Sequence, residues 1–137
     1  MSAITGKTIL LVDDDPNLSR LVELIFSREA ARVFTASDGR EGLSQLRERE
    51  PDLVLLDLIL PDMDGWQLCR EIRQISDVPI IMVSGTVQDT NGKCDDECVV
   101  DDYITKPYTI DVLLDRTGAV LRRAAPAAQK INLLTQT

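Results

Sequence analysis

Three consecutive carboxylates at Asp13, Asp14 and Asp15, a further carboxylate at Asp57, a hydroxyl at Ser84 and an ammonium at Lys106 are the side chains here best placed to do chemistry. Each follows directly on a short apolar run: Thr8–Val12, Leu53–Leu56, Ile80–Val83 and Tyr103–Thr105. In parallel α/β sheets ligands bind beyond the carboxyl ends of the strands, so such runs would deliver these groups to one edge. Clustered carboxylates repel and are costly without a cation among them. A hard divalent ion answers that need, and Mg2+ typically takes one or two carboxylates with waters and phosphate oxygens. A remaining carboxylate can then attack a phosphoryl group. Lysine and metal would neutralise charge on the transferring oxygens, and a hydroxyl would hydrogen-bond to them. Asp15 reads differently: followed by Pro16, it suits a helix N-cap.

What is missing narrows the chemistry. The chain has 137 residues and no histidine. That excludes a Ser-His-Asp or Cys-His catalytic group, a histidine-ligated zinc and a phosphohistidine on this chain. The net charge of −8 argues against direct binding to nucleic acid or to an anionic membrane, both of which want a basic face. Met1–Lys7 has no signal-peptide core, and the longest largely apolar stretch, Leu53–Leu60, contains Asp57 and is too short to span a bilayer. Cys69, Cys94 and Cys98 lack disulfide-framework or zinc spacing and read as reduced cysteines, so a cytoplasmic setting is expected.

The elements that must hold these groups follow from the apolar pattern. Five short runs, the four above and Arg32–Ala36, alternate with segments of helical period. Ile9–Val12, Leu53–Leu56 and Ile80–Val83 are apolar at successive positions, as in strands covered on both faces of a parallel sheet. The run at Arg32 is mixed and suits an edge. Helices are predicted over Pro16–Arg28, Gly39–Glu48, Asp64–Ile75 and Thr109–Arg123. The first places Leu18, Leu21, Val22, Ile25 and Phe26 on one stripe. The β-α alternation implies right-handed crossovers and a doubly wound α/β sheet. A helix due over Thr86–Cys98 is interrupted by Asn91-Gly92 and is expected to be short, late-starting or mobile. Residues 1–123 form one domain in this reading, and 124–137 a linker or tail.

Two other acidic motifs fail on spacing. Asp13-x-Asp15-x-Asn17 opens like an EF-hand loop, but its sixth position is Leu18 and its twelfth Leu24. An Asp-x-Asp phosphatase needs an acid two residues after its nucleophile, where Asp57 has Ile59. Asp13-x-Asp15 has that spacing but leaves Asp57 unexplained.

Four motifs in order carry a more specific signal: Leu11-Val12-Asp13-Asp14-Asp15-Pro16, Leu55-Leu56-Asp57-Leu58-Ile59-Leu60-Pro61-Asp62-Met63-Asp64-Gly65, Ile80-Ile81-Met82-Val83-Ser84-Gly85 and Asp101-Asp102-Tyr103-Ile104-Thr105-Lys106-Pro107-Tyr108. Over roughly Lys7–Arg123 the chain resembles the CheY-like receiver domains of two-component response regulators. That resemblance implies a flavodoxin-like (βα)5 fold, a three-layer α/β/α arrangement with a five-stranded parallel sheet of order 2-1-3-4-5.

The resemblance also implies roles. Asp57 would be the phosphoacceptor. Asp14 would ligate Mg2+ directly, Asp13 largely through water, and the Ile59 carbonyl would be a further ligand. Lys106 would pair with the phosphoryl group, and a cis Lys106-Pro107 bond would aim it inward. Ser84 would bond a phosphoryl oxygen as Tyr103 changes rotamer. Pro61 and Gly65 would shape the loop after Asp57, Gly85 would leave access to it, and Ile59 and Thr86 would tune the phosphoaspartate lifetime. The implied protein is a signalling receiver, not an enzyme in the usual sense, that assists its own phosphorylation and dephosphorylation. Its partners would be a sensor histidine kinase and a downstream effector, with a homodimer through the 99–123 face as a further expectation. A stand-alone receiver or pseudo-receiver scaffold is the alternative. The chain departs from the family pattern at Val99-Val100, where Gly-Ala is usual, and from Asp89 to Asp102, where six acids accompany one lysine.

Overall fold

The structure, a computed structural model, describes residues 2–85 and 100–136, with the backbone alone from 125 onward. Five parallel strands, β1 (Thr8–Val12), β2 (Arg32–Ala36), β3 (Leu53–Asp57), β4 (Ile80–Ser84) and β5 (Asp102–Thr105), form one sheet in the order β2-β1-β3-β4-β5. Four helices accompany them: α1 (Pro16–Ser27), α2 (Gly39–Arg49), α3 (Gly65–Arg73) and α4 (Ile110–Gln136). The helix expected over Thr86–Cys98 lies outside the described residues.

The unbroken apolar runs have a direct explanation. Strand side chains alternate between faces. Leu10, Val12, Val54, Leu56, Ile80 and Met82 enter a core with α2 and α3, while Ile9, Leu11, Leu53, Leu55, Ile81 and Val83 enter a second core with α1 and α4. Burying each such side chain contributes about 1.5–3 kcal/mol, so two apolar faces hold the sheet between two helical layers. Among the described residues β2 pairs with β1 alone and keeps Arg32 exposed, which is why its pattern is mixed.

Several element boundaries differ from expectation. β3 and β4 each extend one residue further, to Asp57 and Ser84, because ladder pairing depends on the backbone and continues after apolarity stops. Helix α3 ends at Arg73, leaving Ile75 half-exposed. Helix α4 does not stop at Arg123 but runs to Gln136 through the stretch read as a linker. Four alanines between 124 and 128 favour helix there despite Pro126. In α1, Leu21 stands half-exposed beside the stripe that buries Val22, Ile25 and Phe26.

Short polar residues start the helices. Asp15 accepts from the N–H groups of Asn17 and Leu18, with Pro16 at the first helical position, as expected. Asp38 accepts from Glu41 N–H and Asp64 from Gln67 N–H. Asp62 adds a clamp: its two carboxylate oxygens accept from Gly39 N–H at 2.8 Å and Arg40 N–H at 3.0 Å. These bonds hold its carboxyl below the usual carboxylate range. The loop after β3 is thereby tied to the start of α2.

Candidate functional site

The ends of β1, β3, β4 and β5 meet at one edge of the sheet. Asp13 leaves β1 with its N–H bonded to the Ala36 carbonyl and its Oδ1 accepting from Asp15 N–H at 2.9 Å. Asp57 closes β3, its Oδ1 accepting from Ile59 N–H at 3.3 Å. Lys106 follows β5, and its Nζ donates to Asp13 Oδ2 at 2.9 Å and to Asp57 Oδ2 at 3.2 Å. Asp13 and Asp57 are buried, whereas Asp14 is exposed. Carboxylate oxygens of Asp13, Asp14 and Asp57 all lie within 4.8 Å of one another, a spacing that could hold a metal ion. Three hard oxygen donors fit Mg2+ or Ca2+ and are poor ligands for soft metals. Asp13 and Asp14 also line a cleft of about 500 Å3 with Ser19, Arg20, Thr35 and Ser37, which connects the acids to solvent.

The electrostatics make Asp57 the unusual carboxylate. Burial pushes its carboxyl above the ordinary value of 3.8 and neighbouring Asp13 pushes the same way, against Lys106 and the Ile59 N–H. Burial alone would depress Lys106, but its bonds to Asp13 and Asp57 prevail and raise it above 10.5. A lysine raised in the folded state stabilises fully below its unfolded pKa and loses that contribution only as pH climbs through the raised value. Lys106 is therefore a permanent cation throughout the neutral range.

Ser84 ends β4 buried beside the site, and its carbonyl accepts from Lys106 N–H at 2.7 Å. Gly85 is exposed, and among the described residues a Cβ there would meet nothing within 4 Å. Thr86 lies outside the described residues. The Lys106-Pro107 peptide is cis. Pro61 and Pro107 are exposed at the rim. The Ile59 side chain points outward, 70% exposed, while its backbone faces Asp57 through the N–H bond and pairs with Asp64. Tyr103 lies on β5, partly exposed.

Gly65 is fixed by close approach. A Cβ there would come within 2.7 Å of the Asp57 carbonyl oxygen and 2.8 Å of Leu58 Cα, both backbone and unable to yield cheaply. Gly65→Ala is expected to cost about 1–3 kcal/mol, as overpacking does, and to displace the Asp57 backbone. Urea denaturation with a midpoint equal to wild type would contradict this packing.

Sequence reasoning missed what three residues touch here. Asp62 was read only as part of a motif, and its role as a clamp on α2 has no local signal. Trp66, the first side chain of α3, is buried and meets Tyr103 edge to face. Tyr108 was read as the end of a motif. Burial, with help from the charges of Asp13, Asp57 and Asp15 and against Lys106, pushes its phenol up to about 12. A phenol raised on folding stabilises below its unfolded pKa and loses that contribution as pH rises through the window from about 10 to about 12. Ultraviolet titration should show a phenolate forming near 12 that Tyr108→Phe removes. Ionisation of both tyrosines near 10 would contradict it.

Fold and site together define a doubly wound α/β protein with an acidic, lysine-closed pocket at the carboxyl edge of its sheet. A family model described as response regulator receiver domain matches residues 9–117, and the chain belongs to that family. It is 41% identical over 116 residues to the transcriptional regulatory protein AfsQ1 of Streptomyces coelicolor, covering 85% of this chain and 52% of that protein. It is 42% identical over 119 residues to the transcriptional regulatory protein BaeR of Escherichia coli O6:H1, covering 86% and 49%. The chain thus spans about half the length of these curated relatives. Among solved structures, the BeF3-activated N-terminal receiver domain of Klebsiella pneumoniae RstA superposes with a TM-score of 0.76 at 33% identity, covering 84% of this chain and 98% of that one. A CheY-like receiver domain protein from Methanospirillum hungatei gives 0.81 at 28% identity, covering 88% and 98%. Among the described residues, no helix is long and apolar enough to cross a membrane.

Proposed function

We propose that this receiver takes up a phosphoryl group on Asp57 from a phosphohistidine of a partner sensor histidine kinase, in a Mg2+-dependent reaction, and changes conformation to control an output. The observation that supports this most strongly is the cluster of Asp13, Asp14 and Asp57 with Lys106 bonded to two of the three. An Asp57 oxygen attacks phosphorus, the P–N bond of the donor breaks, and its electron pair leaves on the donor imidazole. The 137 residues contain no histidine, so the donor imidazole lies outside them. In a separate hydrolysis water attacks the phosphorus of phosphoaspartate, the bond to Asp57 breaks, and inorganic phosphate leaves.

Asp13, Asp14, Asp57 and the Ile59 carbonyl would hold the Mg2+, whose charge when bound offsets that developing on the phosphoryl oxygens. Lys106, charged at neutral pH, would pair with those oxygens. Ser84 and Tyr103 carry the change outward by shifting a pre-existing two-state equilibrium. Gly85 would leave access to Asp57, and Ile59 and Thr86 would tune the phosphoaspartate lifetime.

Residues 1–123 act as the receiver, and α4 leads from it towards an effector that the names of the curated relatives suggest is transcriptional. The domain works in the cytoplasm and leaves nucleic-acid contact to that effector. Fluorine NMR of the protein with Mg2+ and beryllofluoride tests the assignment. A bound fluoride signal is expected in wild type and none in Asp57→Asn. Equal signals in both, or none in wild type, would overturn it.

A further inference from the structure

Asp62 reaches out of its own loop. Helices α1 and α3 are each started by the acid just before them, Asp15 and Asp64. Helix α2 has such a cap in Asp38, whose Oδ1 accepts from Glu41 N–H at 2.8 Å. It also receives Asp62, with one carboxylate oxygen on Gly39 N–H at 2.8 Å and the other on Arg40 N–H at 3.0 Å. Bonds from N–H groups to an ionised carboxylate are roughly twice as strong as neutral ones, and a helix N-terminus favours the negative charge. Yet α2 has its own cap, and Arg40 is exposed where water would serve its N–H. The loop that carries Asp62 gains more from the clamp than the helix does.

That loop is closed at its base by Gly65 N–H donating to the Leu58 carbonyl and by the pairing of Ile59 with Asp64. Ile59 is where its backbone meets the site, the N–H donating to Asp57 Oδ1. The Ile59 side chain is mostly exposed and gives that backbone little anchorage. Leu60 anchors the tip in the core at one point, which fixes a position but not the rotation about it. Asp62 and Met63 supply the second hold. Met63 lies over the first residue of α2, where a Cβ on Gly39 would meet its Sδ at 2.6 Å. Pro61, with its φ fixed by the ring, is a stiff link between Asp62 and the Leu60–Ile59 backbone. Helix α2 is itself seated in the core by Leu46, so it offers the loop a fixed wall.

We propose that Asp62 is a positioning residue for the Ile59 backbone, and through it for the divalent cation that the Ile59 carbonyl would help to hold. This rests on the reading of Asp13, Asp14, Asp57 and Ile59 as the Mg2+ site. A backbone oxygen is a useful ligand only when the loop bearing it is held in place before the metal arrives. Removing an outer partner that orients a metal ligand typically weakens binding by about 10- to 100-fold. Asp62 is exposed and acts through the loop, so the expected loss is about 10-fold.

The test compares wild type, Asp62→Ala and Asp38→Ala. Asp38→Ala removes the cap that α2 has of its own and leaves the loop untouched. Both acids lie outside the core, so both variants should fold, and urea denaturation checks this. Amide exchange is read residue by residue by nitrogen-15 NMR on the metal-free protein. Asp62→Ala should lose protection at Gly39 and Arg40 and also at Ile59, whereas Asp38→Ala should lose it at Glu41 and keep it at Ile59. Binding is then measured with Mn2+, an ion of similar oxygen preference whose free form is read by electron paramagnetic resonance. Affinity should fall about 10-fold in Asp62→Ala and stay at the wild-type value in Asp38→Ala. Ile59 protection or Mn2+ affinity equal to wild type in Asp62→Ala would overturn the role of Asp62 and leave the metal site standing. An equal loss of affinity in Asp38→Ala would also overturn it, because general loosening of α2 would then be the cause. Absence of Mn2+ binding in wild type would instead remove the metal reading, and this role with it.

Discussion

Asp57→Asn will take up no phosphoryl group from acetyl phosphate and will be more stable than wild type at neutral pH. Asparagine keeps the shape of the side chain and an oxygen for Lys106, but it removes the nucleophile and a buried negative charge. Burial, then the proximity of Asp13, raises the Asp57 pKa above 3.8 in the folded protein. Between 3.8 and that raised value the folded state binds more protons than the unfolded state, so this group's contribution to stability falls as pH rises through the window. Above the window the ionised carboxylate is a net cost that asparagine does not carry. Urea denaturation without Mg2+ should give a higher midpoint for Asp57→Asn at pH 7, with the difference closing as pH falls towards the ordinary carboxylate range. An equal or lower midpoint at neutral pH would show that Lys106 and the Ile59 N–H already compensate the charge in full.

Lys106→Met will slow both phosphoryl uptake and its hydrolysis by about 100- to 1000-fold, the range found when one preorganised charge-stabilising group is removed from an active site. Methionine fills much of the same space without the ammonium. Lys106 is the cation within hydrogen-bond distance of both Asp13 and Asp57. Without it two buried carboxylates face each other, and the variant should be less stable than wild type. Mg2+ should restore more stability to Lys106→Met than to wild type, since a divalent ion relieves the same repulsion. The double variant with Asp57→Asn should also recover part of the loss, because the two sites share one charge interaction. Time courses with acetyl phosphate and melting curves with and without Mg2+ check both halves. Unchanged rates would remove Lys106 from the chemistry, and unchanged stability would remove it from the balance of charge.

The candidate site residues were legible because the fold places them by rule. Strands buried on both faces advertise themselves as unbroken apolar runs, and the polar residue after each run falls at the sheet edge where ligands bind. Asp13, Asp57, Ser84 and Lys106 were found that way, and the structure brings the carboxylates of Asp13 and Asp57 to one ammonium. Asp15 was likewise separable from Asp13 and Asp14, since a helix N-cap followed by proline is a local pattern. Element ends were less legible. Asp57 and Ser84 belong to their strands through backbone pairing that apolarity does not report. Helix α4 passes Arg123 because alanines sustain a helix in a composition that also suits a linker.

Contacts between distant segments had no signal at all. Asp62 bonds Gly39 and Arg40 across separations of 23 and 22 residues, and nothing near any of the three residues announces it. Nothing in the sequence pairs Trp66 with Tyr103, and only the folded chain shows that they pack on one another. Half-exposed Leu21 shows the opposite failure, a residue with correct helical spacing that lies just outside the width of the interface.

The most direct measurement is chemical trapping of the acyl phosphate. The protein is incubated with Mg2+ and acetyl phosphate, reduced with borohydride, digested, and its peptides read by mass spectrometry. A phosphoaspartate is reduced to homoserine, and the prediction is homoserine at position 57 alone, absent when Mg2+ is chelated. Homoserine at Asp13 or Asp14, or an unreduced Asp57 after full exposure to the donor, would contradict Asp57 as the phosphoacceptor.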